Sequence, residues 1–82
     1  MKSIAKVELT DTFNGEANYS WIRRWEFDCK GMSDYQIMRK VKKLIGWNGV
    51  QTKKDEYFDS WRIIQSGLNI VCIVYFNESW EL

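Results

Sequence analysis

The side chains able to carry reaction chemistry are few in this chain. Its 82 residues include two cysteines, Cys29 and Cys72, and no histidine. Hydrolytic and transfer reactions need a base that titrates near working pH, and histidine is the usual one, so the common triads and dyads are excluded. A cysteine nucleophile would need another activator, and both cysteines fall at apolar strand positions, where the residue behaves as a small inert hydrophobe. Zinc requires three or four Cys or His ligands, more than two cysteines supply. The acidic pair Asp55-Glu56 sits in a strand pattern that sends neighbouring side chains to opposite faces, which suits solvated charges better than a hard cation. Gly46-Trp47-Asn48-Gly49 leaves a helix instead of opening one and lacks the Lys-Ser/Thr pair of a phosphate loop. The expectation is a non-enzymatic protein with no cofactor and no metal.

Binding chemistry is better represented. Aromatics and cations interleave in Trp21-Ile22-Arg23-Arg24-Trp25, and Trp and Arg are the residues that most often anchor protein interfaces. Trp21, Arg23, Arg24, Trp25 and Trp61 are therefore the candidate protein-binding residues, each Trp filling a pocket and each Arg meeting carboxylates at the rim. A second set, Arg39, Lys40, Lys42 and Lys43, lies on one side of a helix and with exposed aromatics would suit single-stranded nucleic acid. The same four cations are also what a solvated helix face displays, and same-parity aromatics are what a strand uses to build a core.

Charge decides little between these readings. Twelve Lys and Arg against eleven Asp and Glu leave +1, neither an acidic nucleic-acid mimic nor a strongly basic duplex binder. Apolar residues at 45% and aromatics at 16% support a folded single domain over 1–82. Two cysteines are too few for a disulfide framework, and MKSIAKVELT carries no long apolar leader, so a cytoplasmic, reduced protein is expected. The longest strongly apolar run, 70–76, is far shorter than the ~20 residues of a membrane-spanning helix.

The elements that must position these residues follow from periodicity. Ala5, Val7 and Leu9 alternate with Lys6, Glu8 and Thr10, predicting a first strand with one buried face. Tyr19, Trp21, Trp25, Phe27 and Cys29 share one parity of a long second strand. Asn14-Gly15 between them is a strong hairpin signal, yet a strict two-residue loop sets Leu9 opposite Ser20, against the apolar parity. Leu9 should face Tyr19 or Trp21, so a bulge or longer loop is expected across Phe13 to Asn18. Ser33-Asp34-Tyr35-Gln36 is a capping box with Met32 and Ile37 as a staple, and Ile37, Met38, Val41, Leu44 and Ile45 line one helical face up to Gly46. A polar edge strand follows over Val50 to Phe58. Strands Trp61 to Gln65 and Asn69 to Phe76 would meet through a Ser66-Gly67 turn, pairing Trp61 with Cys72 and Ile63 with Ile70. Residues 77–82 form a polar tail apart from Trp80.

The fold class is α+β, β-β-α-β-β, an antiparallel sheet of four to five strands with one helix on one face. One helix cannot cover two sheet faces. Val71, Ile73 and Tyr75 oppose the parity of Ile70, Cys72, Val74 and Phe76, so they are the self-association candidates, covered by a second copy or internally by Trp80, the Phe13 loop and long basic side chains. The Val50 to Phe58 edge is an alternative contact for a homodimer.

The segments DTFNGEANYSWIRR at 11–24 and GWNGV at 46–50 resemble small uncharacterised proteins of tailed phages and prophages. The resemblance spans about the first two thirds of the chain and brings no catalytic motif or site residues. It implies an accessory protein that binds a host or viral macromolecule, anti-defence inhibitors among them, acting in the cytoplasm of the host cell.

Overall fold

The computed structural model describes residues 3–76. Five strands, β1 (Ile4–Phe13), β2 (Glu16–Asp28), β3 (Lys53–Glu56), β4 (Ser60–Ile64) and β5 (Ile70–Phe76), form one antiparallel sheet in the order β2-β1-β5-β4-β3. One helix, α1 (Asp34–Ile45), lies between β2 and β3 in sequence and packs on one face, giving the expected β-β-α-β-β architecture. The tail at 77–82, with Trp80, lies outside the described residues.

Both ends of α1 are set by local chemistry. Ser33 Oγ accepts from the Gln36 N–H at 3.2 Å, and Gln36 Oε1 accepts from the Ser33 N–H at 2.8 Å. At the other end Gly46 takes a left-handed conformation, φ 83°, and the Trp47 N–H returns to the Lys42 carbonyl at 2.7 Å. These bonds satisfy carbonyls that would otherwise be orphaned, and they drive the Trp47 ring into the core.

The core is the layer between α1 and the sheet. Ala5, Val7 and Leu9 of β1, Cys72, Val74 and Phe76 of β5, and Trp61 and Ile63 of β4 meet Ile37 and Val41 of the helix. Each large side chain buried here contributes roughly 1.5–3 kcal/mol. Trp61 meets Phe76 edge-on at 4.9 Å between ring centroids.

Two registers differ from the sequence expectation, and both keep the expected faces. In the β4–β5 hairpin Trp61 pairs with Val74 and Ile63 with Cys72, two residues along from the Ser66-Gly67 alignment. The loop is wider because the Leu68 N–H closes on the Gln65 carbonyl at 3.2 Å. The polar strand is only Lys53–Glu56, since Val50 is tied back to the helix exit by its N–H to Trp47 O and by Lys42 Nζ on its own carbonyl.

The β1–β2 hairpin holds the larger difference. Asn14 and Gly15 form a strict two-residue turn, φ 54° and 80°, with Phe13 opposite Glu16 and Thr12 opposite Ala17. The next ladder pair is Thr10 with Ile22, so Asn18, Tyr19, Ser20 and Trp21 together oppose Asp11 alone. The bulge expected over Phe13 to Asn18 thus sits beyond the turn, and Leu9 pairs with Arg23 instead of Tyr19 or Trp21. Thr10 stabilises it: its hydroxyl accepts the Tyr19 N–H at 3.1 Å and donates to the Trp21 carbonyl at 2.8 Å, in a fully buried position.

Replacing that hydroxyl by a methyl leaves two backbone groups without their partner at nearly constant volume. Thr10→Val should therefore lower unfolding stability by about 1–3 kcal/mol, read from urea midpoints at unchanged slope; an unaltered midpoint would mean the bulge needs no side-chain support.

Candidate binding surface on strand β2

Beyond the bulge, β2 presents two rows. Ile22, Arg24, Glu26 and Asp28 face away from the helix, opposite Thr10, Glu8, Lys6 and Ile4 of β1. Arg23, Trp25 and Phe27 share the helix side with Leu9, Val7 and Ala5. The Arg23 guanidinium lies 5.8 Å from the Trp25 ring centre, and Lys40 of α1 reaches to 5.4 Å above Phe27. Arg24 is held on the other face by Glu8, Nε to Oε2 at 3.2 Å.

Of the five candidate anchors, the structure gathers four on this strand. Trp21 is 39% exposed, Arg23 and Arg24 are exposed, and Trp25 is half-buried with its inner edge against the core. Trp61 is corrected: at 2% exposure it is a core residue, packed on Phe76 and capped by Lys54 Nζ 4.1 Å from its ring centre. Its same-face neighbours are Val74 and Ile63, so the alternation that marked it as aromatic and available was the signature of the buried face.

The basic set lies elsewhere, on the outward side of α1. Arg39, Lys40 and Lys43 are exposed, and they line a shallow groove with Tyr35, Asn48 and Gly49. Arg39 stacks 5.8 Å from the Tyr35 ring. Lys42 is partly withdrawn from this face by its bond to the Val50 carbonyl.

The second sheet face corrects another expectation. Val71 is fully buried and Ile73 is 8% exposed, so neither is an uncovered apolar residue awaiting a second copy. Tyr75 is half-buried and hydrogen-bonds through its side chain to Tyr19, which the bulge turns to φ 57°. Burial, foremost, and this contact push the Tyr75 hydroxyl up to about 12. Sequence reasoning put Tyr19 in the core row; only its place in the bulge, which parity does not reveal, sends it across β1. Of the other exposed aromatics, Phe13 ends β1 beside the hairpin turn, Tyr57 and Phe58 lie in the β3–β4 connection, and Tyr35 is in the first turn of α1.

Cys29 and Cys72 are both buried free thiols, and burial pushes Cys72 up to about 12. Among the described residues no cluster of metal-ligating side chains occurs, and no helix is long and apolar enough to cross a membrane. No protein-family model, curated protein or solved structure matches the chain.

Asp11 fixes how Trp21 is displayed. Its carboxylate accepts from Asn18 Nδ2 at 2.9 Å and from the Ser20 N–H at 2.9 Å. The Ser20 hydroxyl, first, and the Asn18 amide hold the Asp11 carboxyl well below its ordinary value of 3.8. A carboxyl depressed on folding adds stability that is complete above its unfolded value and is lost as pH falls below it toward the folded one. Asp11→Asn should therefore flatten the loss of stability on acidification below about pH 4, while leaving the neutral fold intact. Matching acid limbs in wild type and variant, measured by thermal unfolding at stepped pH, would contradict the clamp.

Proposed function

We propose that the chain is a small non-enzymatic binding protein of the phage accessory kind, which docks on a host or viral protein through Trp21, Arg23 and Trp25, with Arg24 at the rim. An anti-defence inhibitor working in the host cytoplasm is the role that fits this reading. The observation that carries it is the display of Trp21. The ring stays substantially exposed although the backbone on either side is tied down by Thr10 and Asp11. An exposed aromatic on a tethered backbone, two residues from an Arg stacked on Trp25, has less backbone freedom to lose on binding, which favours an interface anchor. The absence of histidine from the sequence and the burial of both thiols support a binding role over a catalytic one.

A second reading, single-stranded nucleic acid on α1, is favoured by the Arg39–Tyr35 stack with Lys40 and Lys43 beside it in one groove. It requires phosphate contacts, and these release counterions.

Affinity capture from host lysate distinguishes the two. Wild type should retain a stoichiometric protein at moderate salt, and Trp21→Ala with Arg23→Glu should weaken that capture about thirtyfold or more, as loss of an interface anchor does. Recovery of no protein across a range of salt would overturn the first reading. The second predicts oligonucleotide binding whose log affinity falls with log salt at about −0.7 per phosphate, and a flat response would remove it.

A further inference from the structure

β2 ends the sheet. Among the described residues its only ladder partner is β1, and between the bulge and Asp28 the edge runs regularly for seven residues, Ile22 to Asp28. A regular edge of this length is a template for another strand, and its charges admit only a strand whose own charges complement them. The opposite edge, β3, has four residues, all charged.

We infer that β2 pairs antiparallel with β2 of a second copy of this chain, about a two-fold axis through Trp25. The occupant follows from symmetry and charge. A two-fold axis that continues an antiparallel sheet stands perpendicular to it and keeps each face on its own side. Only residues of like parity can then oppose one another, and one residue must meet its own copy on the axis. Trp25 is the midpoint of the regular run. With Trp25 on the axis, Arg24 lies opposite Glu26 of the second copy, and Glu26 opposite Arg24 of the second copy. Arg23 lies opposite Phe27, a cation beside an aromatic, and the two Trp25 rings meet on the helix side.

Neighbouring registers are worse. Arg23 or Arg24 on the axis sets like cations against each other, and Glu26 there sets carboxylate against carboxylate although Arg24 then meets Asp28; only the Trp25 register has ion pairs and no like-charge pair. Phe27 on the axis places Glu26 against Asp28 twice. Like charges directly opposite are destabilising, so the sequence selects one register out of the set. β3 is a poorer edge by the same test: it has only four residues, and whichever of Lys53, Lys54, Asp55 or Glu56 sits on the axis meets its own charge, so no register is free of a like-charge pair. The Val50 to Phe58 edge expected from sequence is thereby the shorter of the two edges and carries a like-charge pair in every symmetric register of its ordered strand.

The side chains stand ready for this contact. Glu8 fixes the Arg24 guanidinium through Nε, and the terminal nitrogens of an Arg can bond a second carboxylate. Pairing takes up Arg23, Arg24 and Trp25, so of the proposed protein-binding residues it leaves only Trp21, in the bulge outside the regular run, to a heterologous partner; self-pairing and heterologous docking compete for the other three, and sedimentation of the pure protein reads the first without the second.

Sedimentation from ~5 to ~500 μM tests it, the range of weak edge-to-edge contacts. Wild type should pass from monomer to a closed dimer. Arg24→Glu and Glu26→Arg should each raise the dimer dissociation constant at least about tenfold, because both ion pairs become like-charge pairs. An equimolar mixture of the two variants should dimerise again, since every opposed pair is then of opposite sign. Circular dichroism establishes that each variant folds. If Arg24→Glu does not fold beside Glu8, wild-type amide exchange decides: half the amides of Ile22 to Asp28, those on the outer edge, should become protected as concentration rises. A monomer at ~500 μM, dimerisation unaffected by either folded variant, no recovery on mixing two folded variants, or open-ended growth would each overturn the inference.

Discussion

The Thr10–Asp11 clamp is the interaction on which the display of the rest depends. A two-residue Asn14-Gly15 turn and an apolar row that includes Trp25 and Phe27 demand pairings of opposite parity, and the chain reconciles them by inserting three extra residues into β2. Four residues facing one leave backbone groups that the ladder cannot satisfy, and each of these left buried without a partner would cost about 1–3 kcal/mol. Thr10 takes the Tyr19 N–H and the Trp21 carbonyl, and Asp11 takes the Ser20 N–H and the Asn18 amide. Two adjacent polar side chains thereby do the work of the missing ladder. From that follow the exposed Trp21, the turned Tyr19, and the regular run centred on Trp25.

This also explains why faces were legible in the sequence and registers were not. Hydrophobic alternation fixes the sum of paired residue numbers only as odd or even. Leu9 opposite Tyr19, Trp21 or Arg23 satisfies it equally, and Trp61 opposite Cys72 or Val74 does too. The helix carried its own boundaries, because Ser33, Gln36 and Gly46 act locally through bonds whose geometry the sequence spacing already determines. A bulge of three residues has no such spacing rule. Its signal, Thr-Asp across from an Asn-Tyr-Ser run, becomes readable only once the strands are side by side. Trp61 was misread for a related reason: one parity row cannot tell which tryptophans lie at the sheet centre and which at its edge, and β4 turned out to be beside the central β5.

The second sheet face shows how a small chain covers two surfaces with one helix. Tyr19 is withdrawn from the helix-side row by its left-handed backbone and bonded to Tyr75 on the other. Glu8 and Arg24 bridge β1 to β2 there. An aromatic ring with a polar tip suits this duty, since its body covers apolar neighbours while its hydroxyl finds a partner. Tyr19 thus reaches Tyr75 from the strand that the bulge bends, and Val71 and Ile73 are buried within the single chain on that face.

Cations complete the helix-side layer at its flanks. A helix of 12 residues lies over the middle of a five-stranded sheet, leaving the aromatic side chains of the outer strands with one edge toward water. Lys40 leans from α1 over Phe27, Arg23 lies over Trp25, and Lys54 caps Trp61 on the far side. Long aliphatic stems bury well against such rings while the charged ends remain hydrated, so these residues extend the core sideways without extending the chain. Counting basic residues in the sequence therefore overstates the charge available to a polyanion. What remains outward on α1 is Arg39, Lys40 and Lys43, whereas β2 carries its cations, Arg23 and Arg24, before its carboxylates, Glu26 and Asp28, along the edge of the sheet. A charge sequence that changes sign along an edge distinguishes one strand register from another, which a diffuse basic face cannot do, and the proposed recognition of another polypeptide rests on that difference.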